Sequence, residues 1–309
     1  MNLHFNTPLL ESRPLSVLTG QSVWLKLDAL QPAGSFKIRG IGHACSVYQQ
    51  QGARRFVSSS GGNAGLAVAY AGRCLGIPVT VVVPETTTER ARELLQLEGA
   101  EVIVHGSSWQ EANQHAQTLL GATDAFLHPF DNPLLWQGHA TLVDEIAQAQ
   151  CKPDAVVLAV GGGGLLSGVV AGLQRNHWHD VPVVAVETEG AASFHAALQA
   201  GHTVELERIN SIATSLGAKQ VCEQAMHCAN THPIQSLVVS DYSALAACER
   251  FLADHRLLVE PACGAALSVV YERHPALANY HRLLVVVCGG ATASIDQIRS
   301  WAGQLAARQ

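Results

Sequence analysis

Short apolar runs of strand length recur along almost the whole chain, each followed by a stretch of helical periodicity. Eight runs read as strands: Val23–Asp28, Phe56–Ser59, Val79–Val83, Glu101–Val104, Ala155–Val160, Val183–Glu187, Leu237–Ser240 and Leu283–Val287. Several are continuously apolar, the pattern of strands covered by helices on both faces. The intervening stretches read as helices. Thr86-Thr87-Thr88-Glu89 fits a capping box, Ala91, Leu94, Leu95 and Leu97 follow it, and Gly99 is a stop. Alternation of this kind predicts an α/β fold with open, mainly parallel, twisted sheets flanked by helices and joined by right-handed crossovers.

A chain of 309 residues has room for two domains. No repeat or long linker divides it, so any boundary is crossed by short connections, placed near Leu30 and Asp131. The expected division is a large cofactor-binding domain of residues 1–30 and 131–309, with a small domain of residues 31–130 inserted in it. Apolar residues make up 48% and charged residues 14%, a balance that suits a compact enzyme with buried strands. The net charge of −6 offers no basic face to nucleic acid or to an anionic membrane. Apolar runs such as Leu283 to Cys288 fall far short of the roughly 20 residues that span a bilayer. The opening Met1 to Phe5 lacks the basic and apolar regions of a secretory signal, so a soluble, cytoplasmic protein is expected. Eight cysteines without a CxxC read as reduced, mostly buried thiols. Fifteen histidines include no HExxH, and His227 beside Cys228 fits an ordinary amphipathic helix, so no structural metal cluster is expected.

Three segments carry chemistry. Gly161-Gly162-Gly163-Gly164-Leu165 follows an apolar strand and opens a helix. Four residues without side chains let successive backbone N–H groups converge on an anion, and the helix N-terminus adds partial positive charge. A tight turn alone needs only one or two glycines. The loop matches neither the GxxxxGK[ST] phosphate loop nor the GxGxxG dinucleotide fingerprint. In Gly34-Ser35-Phe36-Lys37-Ile38-Arg39, the lysine is either a solvated surface residue or a Schiff-base nucleophile. The second role needs a partly desolvated pocket that keeps the amine neutral, and Phe36 is the kind of neighbour that provides one. Ser58-Ser59-Ser60-Gly61-Gly62-Asn63-Ala64-Gly65 lies at another strand-to-helix junction. It is either a helix cap with spare serines or a second anion cradle, sized for a carboxylate, with Asn63 offering an amide hydrogen bond.

Together these segments resemble the fold-type-II pyridoxal-phosphate enzymes, in particular their serine/threonine dehydratase branch and its short, liver-type L-serine dehydratases. The resemblance runs over essentially the whole chain. It includes Thr7-Pro8-Leu9, Ser35-Phe36-Lys37, Ser60 to Gly65, the tetraglycine loop, Glu260-Pro261-Ala262-Cys263-Gly264-Ala265-Ala266 and Val287-Cys288-Gly289-Gly290. The chain ends soon after the last segment, which agrees with the short branch rather than with threonine deaminases that carry a regulatory domain. The resemblance implies pyridoxal 5'-phosphate held as a Schiff base on Lys37, with Phe36 beside its ring and Asn63 on its ring oxygen. It implies a phosphate held by Gly161, Gly162, Gly163, Gly164 and Leu165, and Cys288 facing the pyridine nitrogen. Ser60, Gly61, Asn63 and Ala64 receive the carboxylate of an amino-acid substrate. A monovalent cation, potassium, falls to Glu187, Ala191, Ser193 and Leu216, although a helix start is the plain reading of the Gly190 to Phe194 stretch. A homodimer is implied as well.

The implied reaction converts L-serine to pyruvate and ammonia, or L-threonine to 2-oxobutyrate and ammonia, with Lys37 as the base that takes the Cα proton. A thiol opposite the pyridine nitrogen interacts only weakly, unlike the carboxylate of aminotransferases, and this argues against transamination. Cys263 reads as a small buried residue at a strand end. Gly61 stands where racemases of this fold place a serine, so the acid for the second face of Cα is missing. Dehydratases often have alanine there, so glycine is expected to enlarge the pocket slightly. Ala291-Thr292 replaces the Ser-Asn that often continues the Cys288 segment. Two alternatives stand beside the dehydratase. One is a β-replacement enzyme of the cysteine-synthase kind, whose Lys-Asp-Arg continuation differs from Lys37-Ile38-Arg39. The other is a cofactor-binding protein that has lost catalysis.

Overall fold

The computed structural model describes residues 2–307. Its strands, in chain order, are β1 (Leu9–Glu11), β2 (Ser22–Lys26), β3 (Arg55–Ser58), β4 (Val79–Val83), β5 (Glu101–Val104), β6 (Asp124–Phe126), β7 (Ala155–Ala159), β8 (Val183–Thr188), β9 (Ile234–Val239) and β10 (Arg282–Val286). They form a six-stranded sheet in the order β1-β2-β10-β7-β8-β9 and a four-stranded sheet in the order β5-β4-β3-β6. Every pairing is parallel except β1 with β2, as strand–helix alternation predicts.

All eight expected strands are present, with ends shifted by a residue or so; β9 starts three residues earlier than expected. β1 and β6, of three residues each, were not anticipated. The expected helix after Thr86 starts later, over Glu89–Leu97. Thr88 is its cap and accepts a hydrogen bond from the Ala91 amide, and Gly99 follows in the left-handed region at φ +84°. β4, β7 and β8 are buried along their whole length, which explains a sequence apolar throughout β7 and broken only by Thr80 in β4 and by Glu187 and Thr188 at the end of β8. One core surrounds the six-stranded sheet. A second covers one face of the four-stranded sheet and draws in Leu3 and Leu135, which lie outside residues 31–130, and a small third of Val57, Val82, Ala112 and Ala116 covers the other face.

Three helices pack unusually close: Lys37–Gln50, Pro133–Gln148 and Gly164–Arg175. Glycines make the crossings. A Cβ on Gly138 would lie 2.3 Å from the Arg39 carbonyl oxygen, one on Gly40 2.6 Å from the Leu135 carbonyl oxygen, and one on Gly172 2.8 Å from that of Ala140. Beside them lies a buried ion network. Asp28 and Glu145 each hold Arg39 at 2.6 Å, and Glu145 also holds Lys26 at 2.5 Å. The Thr7 hydroxyl donates to Asp28 at 2.7 Å, and the Lys26 ammonium donates to the Thr7 carbonyl at 2.6 Å. This gives the Thr7-Pro8 segment a structural role.

Candidate active site

The chemistry-bearing segments leave the carboxyl ends of parallel strands, where ligands bind in open α/β sheets. β10 runs into Cys288, β7 into the tetraglycine loop and β3 into Ser60-Gly61-Gly62. The chain after β2 leads through a turn to Lys37, the first residue of its helix. Backbone pairing joins this turn to the Cys288 segment. Ser35 bridges Gly289, the Phe36 amide donates to the Cys288 carbonyl at 2.8 Å, and the Gly290 amide donates to the Gly34 carbonyl at 3.1 Å.

The Lys37 side chain turns inward, and its Nζ donates to the Pro129 carbonyl oxygen at 2.6 Å. Nζ also lies 5.2 Å from the centre of the Phe36 ring, which packs at 4.9 Å against the buried His139. Desolvation lowers the amine's pKa to about 8, although Cys288, Glu260 and Cys222 pull the other way. The sequence left open a solvated lysine, and this amine is not one.

Pro129 and Phe130 link the lysine to the glycine loop. A Cβ on Gly162 would lie 2.2 Å from the Phe130 ring, and one on Gly164 2.8 Å from the Phe130 carbonyl oxygen. On the other side, a Cβ on Gly161 would lie 3.0 Å from the Leu216 Cα, and Gly163, at φ +92°, faces Ala225. Any side chain on the loop would therefore displace a neighbour, and Gly163 needs glycine's backbone freedom as well. Gly163 caps the helix Gly164–Arg175, whose first amides, including that of Leu165, have no partner within the helix. That arrangement suits a phosphate.

Asn63 begins the helix Asn63–Leu75 after Gly62. Its Nδ2 donates to Glu260 at 2.6 Å and lies 3.5 Å from the Ser215 hydroxyl, while its buried Oδ1 has no hydrogen-bond partner. Ser215 and Leu216 adjoin Gly161, so the Asn63 helix start meets the glycine turn through this pair. The Ser60 hydroxyl accepts from the Gly62 amide at 3.3 Å, and Ala64 is buried just inside the helix. Gly61 departs from expectation. A methyl group there would lie 2.7 Å from Thr87 Cγ2, so Thr87 already fills the space that glycine was expected to add.

Cys288 is buried, and the neighbouring Cys263 thiol together with burial pushes its pKa up. It is therefore a neutral thiol. Cys263 lies in the helix Pro261–Tyr271, not at a strand end. Glu187, Ala191 and Ser193 gather at the end of β8. The Glu187 carboxylate accepts from the amides of Phe194 and His195 at 2.9 and 2.7 Å, burial pushes its pKa up to about 7, and the buried Ser193 hydroxyl is without a partner. Leu216 lies beside Gly161, which follows β7, the neighbour of β8 in the sheet. No group of three or more His, Cys, Asp or Glu side chains suited to a metal occurs among the described residues.

The sequence pointed to neither Pro129 nor Phe130 as part of the site, and it gave Glu260 and Ser215 no role. Their partners are distant in sequence, so no local pattern marks them. Taken together, the residues fit pyridoxal phosphate. A desolvated amine, an anion-binding glycine turn and a buried amide with an unsatisfied oxygen converge from separate strands.

Comparison with known proteins agrees. The family model described as pyridoxal-phosphate dependent enzyme matches residues 1–289. A mouse protein named L-serine dehydratase/L-threonine deaminase is 49% identical, with 98% of this chain and 96% of the mouse protein covered. A rat protein named serine dehydratase-like is 50% identical, with 98% and 95% covered. The crystal structure of a fungal L-serine ammonia-lyase from Rhizomucor miehei superposes with a TM-score of 0.93 at 38% identity, covering 98% of this chain and 99% of that one. A matched model of this extent and relatives this similar place the chain in a family whose chemistry its site is built for: it belongs to the pyridoxal-phosphate-dependent enzymes.

Proposed function

We propose that this enzyme is an L-serine/L-threonine ammonia-lyase, releasing pyruvate and ammonia from L-serine or 2-oxobutyrate and ammonia from L-threonine. The observation that carries the reading is the Lys37 amine, desolvated to a pKa of about 8 and linked through Pro129 and Phe130 to the glycine turn. Relatives and a structural neighbour named for this reaction support it.

Lys37 would carry the cofactor, Gly161 to Leu165 its phosphate, Asn63 its ring oxygen, with Phe36 beside the ring and Cys288 opposite its nitrogen. Bound there, pyridoxal phosphate supplies an electron-accepting ring that stabilises negative charge on the substrate's α-carbon. The chain's own groups do the rest. The turn from Ser60 to Ala64, at the start of the helix Asn63–Leu75, orients the substrate carboxylate by the same helix-terminus electrostatics. Lys37 Nζ, neutral over much of the range near pH 8, takes the α-proton. The neutral Cys288 thiol offers only a weak interaction, which favours prompt loss of the β-hydroxyl over transfer of the amino group.

To the same reading belong potassium at Glu187, Ala191, Ser193 and Leu216, a homodimer, a cytoplasmic location, and the two domains of residues 1–30 with 131–309 and of residues 31–130. The test is to incubate the holoenzyme with L-serine or L-threonine and no second nucleophile, in potassium and then in a large organic cation. Equimolar 2-oxoacid and ammonia, faster in potassium, are expected. Product only when a thiol or other nucleophile is added would identify a β-replacement enzyme instead.

A further inference from the structure

Glu260 is a buried carboxylate, 3% exposed, to which nothing above assigns a task. It occupies the N-cap of the helix Pro261–Tyr271 but makes no capping hydrogen bond with its side chain. The carboxylate turns toward the site instead. Oε1 accepts from Asn63 Nδ2 at 2.6 Å, and Oε2 accepts from the Thr292 hydroxyl at 3.3 Å. Burial raises its pKa, while the neighbouring Ser215, Asn63, Thr292 and Lys37 oppose the rise.

The two ends of an asparagine amide are nearly equal in size, so its partners decide which way it faces. A carboxylate only accepts, so Glu260 admits the N–H end. No group holds the opposite end, because Asn63 Oδ1 is buried without a partner. An amide nitrogen has two hydrogens in fixed directions. One is spent on Glu260, and the other remains for an acceptor in the site, with Ser215 Oγ at the 3.5 Å limit of a bond.

We infer that Glu260 is a positioning residue that locks the Asn63 amide with one N–H free for the cofactor's ring oxygen. The inference rests on the assignment of Asn63 to that oxygen. Without Glu260 the amide can turn over and set its carbonyl against an oxygen that needs a donor, an acceptor–acceptor clash in a buried place.

The test compares the wild-type holoenzyme with Glu260→Ala, Glu260→Gln, Asn63→Ala and the Asn63→Ala/Glu260→Ala double variant. Each is read by cofactor dissociation constant, absorption maximum and turnover. Loss of an orienting contact predicts that Glu260→Ala weakens cofactor binding about tenfold, shifts the absorption maximum and lowers kcat about 100-fold. Glu260→Gln rescues all three, because its carbonyl accepts the same N–H. In the Asn63→Ala background, removing Glu260 adds less than about twofold, as coupled residues require. If Glu260→Ala does not fold, Glu260→Met fills the volume without an acceptor and serves in its place. The inference is overturned if Glu260→Ala behaves as wild type, if Gln fails as badly as Ala, or if the two losses simply add. An Asn63→Ala variant with unchanged cofactor binding and spectrum would instead overturn the assignment of Asn63 beneath it.

Discussion

Lys37 is half-buried, with its amine turned inward onto the Pro129 carbonyl, and its lowered pKa has a consequence for stability in the cofactor-free protein. The folded pKa is about 8 against an ordinary value of 10.5. Below pH 8 both states are protonated, and the folded chain bears the full penalty of a desolvated ammonium. Between pH 8 and 10.5 the unfolded chain binds more protons than the folded one, so this group's contribution to stability rises with pH. The melting temperature of the apoprotein minus that of Lys37→Met is therefore expected to be flat below pH 8 and to climb above it. A difference constant to pH 10.5 would show a solvated lysine. In the holoenzyme, Lys37→Ala is expected to lower turnover by about 10³-fold or more and to remove the lysine-bound absorption band, checked by steady-state assay and spectrum. The lysine was legible in the sequence because Ser35-Phe36-Lys37 and its neighbouring turn are contiguous. The residues that define its surroundings were not. Asn63 meets Glu260 across 197 positions and Ser215 across 152, and Thr87 meets Gly61 from another loop. Such meetings arise from strand order, which no single segment encodes.

Among the elements, the glycine turn after β7 is the most demanding. Gly162 lies under the Phe130 ring, so Gly162→Ala must push out the ring that lines the lysine's pocket. Cofactor affinity is expected to fall by at least about tenfold, measured by fluorescence titration of the apoprotein, because the phosphate amides and the ring shift together. Affinity equal to wild type would mean that the turn does not hold the phosphate. The sequence displayed this element plainly, since four glycines between a strand and a helix have few other uses. β1 and β6 were hidden by brevity: three residues carry no periodicity. The cap at Thr88 was misplaced by two residues because three consecutive threonines are equally good caps, and packing of Ala91 and Leu95 decides among them.

Across the whole molecule, the buried quartet of Lys26, Asp28, Arg39 and Glu145 ties β2, the lysine-bearing helix and the helix Pro133–Gln148 together. Asp28→Ala leaves a fully buried guanidinium short of its partner, and about 3–5 kcal/mol of stability should be lost in urea unfolding. A loss under about 1 kcal/mol would show that water reaches the network. Close by, the helix Pro133–Gln148 touches the lysine-bearing helix on one side and the helix that follows the glycine turn on the other, both through glycine-to-carbonyl contacts. It works as a caliper. The span between the amine and the glycine turn is set by backbone against backbone, with the His139 and Val143 side chains wedged into the same seams. An added methyl group anywhere along those two seams would be felt as a mis-set gauge in the chemistry well before it was felt as a loosened fold.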